Sequence, residues 1–140
     1  MTTQVTRPRA ATLVPDDRRE KFLPTLFGHR FLIVAENTVY TMMERLSPSD
    51  YRGGFWNFYE QDGQPLYLAP TSKSRFQIES DITEFRGEVS ADSAGIVATL
   101  FALSHLSVNY QSDLLAKRYY RLRIYSFHHP EVSEIFQVLD

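Results

Sequence analysis

The stretch FRGEVSADSAGIVATLFALSHL, residues 85–106, decides the fold of this chain. Its first five residues alternate between apolar or small and charged side chains, which is typical of a strand with one buried face. Ser90 or Asp92 can then cap a helix, because both side chains accept hydrogen bonds from free backbone N–H groups. Between residues 94 and 103 only Thr99 is polar, and a helix that is apolar nearly all round is usually buried. The stretch therefore predicts a strand that leads into the core helix.

Small side chains recur along this predicted helix. Ala94, Ala98 and Ala102 lie four residues apart, and Gly95 lies beside them. Such a stripe lets a helix approach a sheet closely, and Gly87 in the preceding strand is the predicted point of closest approach. The apolar run is shorter than the ~20 residues that cross a membrane, so we interpret the helix as part of a core.

The composition limits the class of protein. The chain has 140 residues, a net charge of −2, 43% hydrophobic residues and no cysteines. This length favours a single compact domain whose core needs no disulfides. The lack of cysteines excludes thiolate metal sites and a cysteine nucleophile. The first residues form no apolar run of signal-peptide length, so we expect a cytoplasmic protein.

Basic and acidic residues are mixed along the whole chain. Proteins that bind nucleic acid usually concentrate basic residues on one segment or face. A protein that imitates DNA needs the reverse, a dense surface of carboxylates. The sequence shows neither pattern, which argues against both classes.

The chain is predicted to divide into a flexible tail, residues 1–15, and one domain, residues 16–140. The tail is polar and contains two prolines, a composition that is typical of loosely ordered termini. Arg7 and Arg9 within it can reach an acidic partner, but exposed arginines usually contribute little.

Four further helices are predicted from apolar periodicity and from helix-breaking residues. The second of them, residues 31–46, has apolar residues at helical spacing, although its first four residues can also be read as a strand. The others are predicted near residues 16–28, over residues 113–127 and after Pro130, which suits the first turn of a helix.

A first β-hairpin is predicted within GGFWNFYEQDGQPLYLAP, residues 53–70. Two aromatic-rich runs flank an Asp-Gly pair at residues 62–63, which is a strong turn signal. This turn places Tyr59 opposite Leu66 and makes both faces of the hairpin apolar. Either both faces are covered, or one presents an aromatic patch around Trp56 to a partner. The covered arrangement is favoured, because large exposed apolar patches are uncommon.

A second hairpin is predicted over residues 74–89. Pairing Phe76 with Val89 places the polar side chains of both strands on the opposite face, which supports this register. It also sets Glu79 opposite Arg86 as a cross-strand ion pair. The two hairpins together predict an α+β fold in which a four-stranded antiparallel sheet packs against helices, with the core helix covering the second hairpin.

Two groups of side chains suggest catalysis or metal binding, and neither has the required pattern. His128 and His129 with Glu131 match no H-x3-H or HExxH spacing, so a polar corner between helices is favoured over a metal site or a hydrolase. The acidic residues between positions 79 and 88 lack an accompanying nucleophile and orienting group. No phosphate-binding loop and no GxSxG motif is present. We therefore expect no catalytic, cofactor or metal residues. The acidic residues in question are Glu79, Asp81, Glu84 and Glu88.

The most basic segment is the predicted helix over residues 113–127. It carries Lys117, Arg118, Arg121 and Arg123 with tyrosines between them, and such cations can contact phosphates. The slightly acidic net charge and the need to bury the apolar side of this helix argue against DNA binding. A small DNA-binding protein that uses this helix is kept as the alternative interpretation.

Five segments of the chain together carry a resemblance to one protein family. They are FLPTLFGHRFLIVAENTVYTMMERL (residues 22–46), GGFWNFYE (53–60), LYLAP (66–70), FRGEVSADSAGIVATLFAL (85–103) and RYYRLRIYSFHHPE (118–131). Over about residues 17–140 the chain resembles the ArdB/KlcA antirestriction proteins, most specifically in the stretch quoted first.

The resemblance implies a small mixed α/β protein with an antiparallel sheet, carried by plasmids and other mobile elements. It implies protection of incoming DNA from type I restriction endonucleases by a protein that does not mimic DNA and is not an enzyme. The implied partner is the restriction complex, or a host factor that acts with it, rather than DNA or a membrane. No catalytic, cofactor or metal residues come with the resemblance.

Overall fold

The computed structural model describes residues 9–140, so Arg7 and most of the predicted tail lie outside the described residues. Within this range a short 3-10 helix, Asp16–Arg18, precedes the first α-helix. The elements in chain order are β1 (Thr12–Leu13), α1 (Arg19–Phe27), α2 (Leu32–Leu46), β2 (Trp56–Gln61), β3 (Gln64–Pro70), β4 (Arg75–Glu79), β5 (Arg86–Ser90), α3 (Ala91–Asn109), α4 (Asp113–Ser126) and α5 (Val132–Leu139).

The strands form two separate sheets, so the prediction of one four-stranded sheet is wrong. β1, β2 and β3 form one antiparallel sheet, and β4 pairs with β5 in the other. The outer edge of β3 lies against α3, where Thr99 Oγ1 is 3.4 Å from the backbone N and O of Leu68. On β4, the N–H of Gln77 donates to Asp50 Oδ2 at 2.7 Å and its C=O accepts from Ser47 Oγ at 2.6 Å. A helix and two side chains therefore occupy the edges that would have joined the hairpins.

β1 lies inside the segment predicted as a tail. It pairs with Tyr59 and Glu60 of β2, and the next residue, Val14, is buried and donates its N–H to Phe58 O at 2.8 Å. Residues 12–14 of the predicted tail therefore extend the sheet by one strand.

The first hairpin forms with the predicted turn and a partly shifted register. Gly63 at the turn has a φ of +74°, in the region where glycine is favoured. Glu60 pairs with Pro65 as the turn requires, but a bulge then places Tyr59 opposite Tyr67 instead of Leu66. The predicted register is therefore right only next to the turn.

The second hairpin has the predicted register, and Phe76 lies opposite Val89. Glu79 and Arg86 are opposite each other as expected. Among the described residues, however, the ion pair recorded between these two strands joins Arg75 to Glu88 at 2.5 Å. The alternation of polar and apolar residues therefore predicted the pairing of the strands but not the partners of the charged side chains.

α3 is the core helix. Ser90 is its N-cap, because its Oγ accepts the N–H of Ser93 at 3.1 Å, which confirms one of the two predicted caps. Nearly every residue of its first half is buried. By length and composition α3 would also suit a membrane span, but 61% of its most apolar window is buried inside the fold, as expected of a core helix.

α3 comes closest to the backbone of a strand at Gly95, which lies against β3. The prediction that the closest approach is at Gly87 in β5 is wrong. A Cβ atom on Gly95 would lie 2.4 Å from the backbone O of Leu68, whereas one on Gly87 would meet only the ring of Phe85 at 3.1 Å. The helix therefore packs on β3 more than on the hairpin that leads into it. α2 is helical from Leu32, so the alternative reading of its start as a strand is wrong.

Candidate functional site

Polar side chains from three parts of the fold meet at the N-terminal end of α3. The hydroxyl of Tyr67 donates to Asp92 Oδ1 at 2.5 Å, and His129 Nε2 lies 2.7 Å from Asp92 Oδ2. The other ring nitrogen of His129, Nδ1, accepts the backbone N–H of Glu131 at 3.0 Å. The ring proton therefore sits on Nε2 and points to Asp92. One carboxylate thus connects β3, α3 and the turn between α4 and α5.

Glu131 forms the second half of this junction. Its Oε1 accepts the N–H of Ser90 at 3.1 Å and the hydroxyl of Ser93 at 2.6 Å, and Oε2 lies 3.5 Å from Arg75 Nη2. Burial raises the pKa of Glu131. The hydrogen bonds from Ser90 and Ser93 and the Arg75 guanidinium together lower this pKa by more than burial raises it. The net pKa is below the usual glutamate range, so the carboxylate is charged and ties the start of α5 to the start of α3.

The junction contains the residue types of a hydrolytic site without the geometry of one. The hydroxyl of Ser93 is bonded to Glu131 and not to His129, so no nucleophile is aligned with the imidazole. Burial and the Asp92 carboxylate raise the pKa of Tyr67, so its hydroxyl stays protonated and serves as a donor. Within residues 9–140, no group of three or more histidine, aspartate or glutamate side chains is placed to hold a metal ion. The arrangement joins elements of the fold, and the neighbouring histidine, His128, is exposed and lies outside it.

The acidic residues between positions 79 and 88 do not form a catalytic pair. Glu88 is bonded to Arg75, and Asp81 lies 3.4 Å from Arg45. Both are on exposed parts of the second hairpin, where the sequence placed them. Their partners are arginines, which is typical of surface ion pairs.

Three of the four basic side chains of α4 contact other parts of the same chain. Arg118 donates to the backbone O of Thr25 at 3.0 Å, and Arg121 donates to the backbone O of Gln61 at 2.6 Å. Arg123 Nη2 lies 3.9 Å from Oδ2 of the Asp140 side chain. Burial, with the nearby Arg121 charge, lowers the pKa of Arg118. The basic helix therefore uses its arginines to attach α4 to α1 and to the turn of the first hairpin.

The aromatic hairpin is covered, as the favoured interpretation predicted. Trp56 and Tyr67 are 3% and 2% exposed, and Trp56 Nε1 donates to the hydroxyl of Tyr51 at 2.9 Å. The alternative, an exposed patch around Trp56, is wrong. The exposed aromatic residue at this end is Phe55, and the guanidinium of Arg19 lies 4.3 Å from its ring centroid.

A row of exposed apolar side chains along α4 and at its C-cap was not predicted from the sequence. Tyr120, Ile124 and Phe127 are 63%, 61% and 55% exposed. Their spacing of four and three residues puts them on one side of the helix, opposite the buried Leu115 and Leu122. This spacing was the available signal, but the pattern alone does not say which of two apolar sides faces the core.

The fold and its best-formed polar cluster define a small α+β protein whose ionisable side chains serve largely to connect its own elements. A family model described as "Antirestriction protein" matches residues 49–140. The chain belongs to this family of antirestriction proteins.

Relatives of known name cover almost the whole chain. Two antirestriction proteins KlcA from Escherichia coli are 42% and 41% identical to it, over 96% and 98% of this chain and 96% and 97% of their own. A solved structure of the KlcA and ArdB proteins matches with a TM-score of 0.85 and 41% identity, over 100% of both chains. Those proteins are described as having a novel fold and antirestriction activity against type I DNA restriction systems in vivo but not in vitro. The resemblance read from the sequence is confirmed.

Proposed function

We propose that this protein protects incoming mobile-element DNA from type I restriction endonucleases in the cytoplasm, as a binding protein and not as an enzyme. The observation that carries the proposal is the match over the full chain, at a TM-score of 0.85, to proteins with this activity in vivo. The internal use of Asp92, His129 and Glu131 supports the non-enzymatic part, because these groups are bonded to one another and to the backbone.

The protein acts on a partner that is present in the cell. In the KlcA and ArdB proteins, activity in vivo without activity in vitro indicates that the purified restriction system lacks a required component or state. By extension, the partner of this chain is the restriction complex as it exists in the cell, or a host factor that acts with it.

Neither mimicry of DNA nor binding to DNA suits this surface. The chain has 17 acidic and 15 basic residues, whereas a DNA mimic needs a large excess of carboxylates. Several of its carboxylates are paired with arginines, including Glu60 with Arg18 at 2.6 Å. Arg118 and Arg121 of α4 are held by backbone oxygens and Arg123 lies 3.9 Å from the Asp140 carboxylate, which leaves Lys117 as the basic residue of that helix without a recorded bond in the described part of the chain. The DNA-binding alternative therefore has little support.

The test is the plating of unmodified phage on a host with a type I restriction system, with and without this gene. We expect the gene to raise the plating efficiency of unmodified phage and to leave that of modified phage unchanged. A non-restricting host controls for effects on phage growth. Unchanged plating on the restricting host, with the protein present and folded, would refute the proposal.

A second experiment separates direct from indirect action. Purified protein is added to a cleavage reaction of the purified restriction enzyme, alone and with an extract of the host. We expect inhibition only when the extract is present. Inhibition by the purified protein alone would show that no host factor is needed.

A further inference from the structure

A groove with a volume of about 660 Å³ runs along the outer side of α2. Val34 and Met42 lie eight residues apart on the same side of the helix, Ile33 lies beside Val34, and Asn37, Thr38 and Thr41 complete the floor. Ile33 and Val34 are 75% and 37% exposed. A floor of this kind leaves apolar surface in water that a partner can cover.

Every ionisable side chain that lines the groove is an arginine or a histidine. Arg30 lies just before α2, Arg45 lies in its last turn, and His29 and His105 complete the set. The free N–H groups at the start of α2 add positive potential near Arg30. The two arginines therefore give the groove a positively charged lining although the whole protein carries a net charge of −2, and a concave surface of one sign attracts partners of the other.

The guanidinium of Arg45, at the end of the groove beside the last turn of α2, is available to a partner. Arg45 lies 3.4 Å from Asp81, and the side chains of this pair are 48% and 72% exposed. Exposed pairs of this kind are weak and exchange readily. Arg30, at the other end, lies over the ring of Phe31, 5.0 Å from its centroid, with no carboxylate recorded beside it in the described part of the chain.

We infer that this groove binds an acidic amphipathic helix of a partner protein. The inference rests on the proposed function, because it names the chemistry of the partner through which protection is exerted. From Leu32 to Arg45 the helix that floors the groove rises ~20 Å at 1.5 Å per residue, which suits a partner helix of about four turns. The partner's apolar residues at i, i+4 and i+7 cover Ile33 and Val34, and its carboxylates meet the arginines at the two ends.

The distribution of charge favours a peptide over a nucleic acid. A nucleic-acid site presents a stripe of cations that follows the phosphates. Here Arg30 and Arg45 are separated by a floor of apolar and uncharged polar side chains that carries no lysine or arginine to follow a row of phosphates. A larger cavity, about 780 Å³, lies between β5 and α5 but is lined by Glu84, Arg86 and Asp140, so its charge does not select a partner.

The first test uses a defined probe and the purified full chain. The probe is a fluorescein-labelled helical peptide of ~16 residues with leucines at i, i+4 spacing and glutamates elsewhere. We expect binding that the double variant Arg30→Glu/Arg45→Glu weakens by on the order of tenfold or more, and that Ile33→Asp also weakens. The matched control is Lys117→Glu, an exposed charge reversal on α4, which should bind the peptide as the unmodified protein does.

Three outcomes would overturn the inference: no binding of the glutamate peptide, equal binding of a lysine peptide of the same pattern, or tighter binding of a DNA duplex of equal charge at the same salt concentration. Circular dichroism and thermal unfolding show whether each variant is folded. Because Arg30, Ile33 and Arg45 are all exposed, the variants are expected to keep the fold.

The second test is phage plating with the same variants. We expect Arg30→Glu/Arg45→Glu to lose protection and Lys117→Glu to keep it, at equal amounts of folded protein. Full protection by the double variant would overturn the inference while leaving the proposed function intact. If the unmodified protein itself gives no protection, the proposed function fails, and the peptide experiment still decides whether the groove binds acidic helices.

Discussion

His129 Nε2 lies 2.7 Å from Asp92 Oδ2 and joins two residues that are 37 positions apart in the chain. The side chain of His129 is 8% exposed, whereas that of Asp92 is 36% exposed. Asp92 also accepts the hydroxyl of Tyr67. The Asp92 carboxylate therefore links the start of the core helix to β3 through Tyr67 and to the turn before α5 through His129. We expect these two hydrogen bonds to stabilise the fold.

Replacing His129 by alanine should lower the free energy of unfolding by about 1–3 kcal/mol, because a largely buried hydrogen bond is lost and Asp92 keeps one fewer donor. His128→Ala is the matched control, since the neighbouring imidazole is exposed and its loss should change stability by less than about 0.5 kcal/mol. Urea titration of the two variants measures the difference. Equal losses would show that the contact with Asp92 contributes nothing.

Glu131 should make stability depend on pH in the acid range. Its pKa in the folded protein is below the usual value, which is about 4.3 in an unfolded chain. The stabilisation is therefore present above the unfolded-state pKa and is lost as the pH falls through the lower, folded-state pKa. Glu131→Gln should be less stable than the unmodified protein at neutral pH and should lose less stability on acidification.

Denaturant titrations at a series of pH values, from neutral to about pH 3, test this dependence. Glu20→Gln, at an exposed position in α1, serves as the control and should follow the unmodified protein. Parallel pH profiles for Glu131→Gln and the unmodified protein would contradict the prediction.

Gly95→Ala should destabilise the protein although alanine is the better helix former. In an exposed helix this change gains up to about 1 kcal/mol. Here the new Cβ would lie 2.4 Å from the backbone O of Leu68, so α3 must move from β3 at a cost of about 1–3 kcal/mol or more. Gly87→Ala, whose Cβ would meet only the ring of Phe85, should cost less. Thermal unfolding compares them, and an increase in stability for Gly95→Ala would refute the close contact.

Alanine at both Arg118 and Arg121 should lower stability and leave protection intact. The Arg118 substitution removes the hydrogen bond to the backbone O of Thr25, and the Arg121 substitution removes the one to the backbone O of Gln61. Each lost bond should cost about 1 kcal/mol of stability. Phage plating at matched levels of folded protein, together with a DNA-binding assay at low salt, provides the measurement. A joint loss of protection and of salt-dependent DNA affinity would restore the DNA-binding interpretation.

Local pattern was enough to predict most of the individual elements, although not β1, whose two residues form a strand only by pairing with β2. The apolar run after Ser90 predicted the core helix, and the alternation around Phe76 and Val89 predicted the register of the second hairpin, because one face of each strand is buried. The separation of the sheets could not be read in the same way. It depends on Ser47 and Asp50, whose side chains form hydrogen bonds with the backbone of Gln77 in β4. Gln77 lies 30 and 27 residues further along the chain than these two residues.

The polar junction was missed for a related reason. The spacing of His128 and His129 matches no ligand or catalytic motif, and the corner between helices was predicted correctly. The partner of His129 is Asp92, which the sequence suggested only as a helix cap. Long-range pairing of polar groups depends on how the helices pack, and neither periodicity nor charge reports it.

The bonds from Ser47 and Asp50 to Gln77 also affect how copies of the protein meet one another. A strand edge with free N–H and C=O groups is a template for aggregation, because a strand from another molecule can add to it. At Gln77 both groups are already bonded within the chain. The turn after α2 therefore protects this edge at Gln77, where the backbone has no free group to pair with a strand from another molecule.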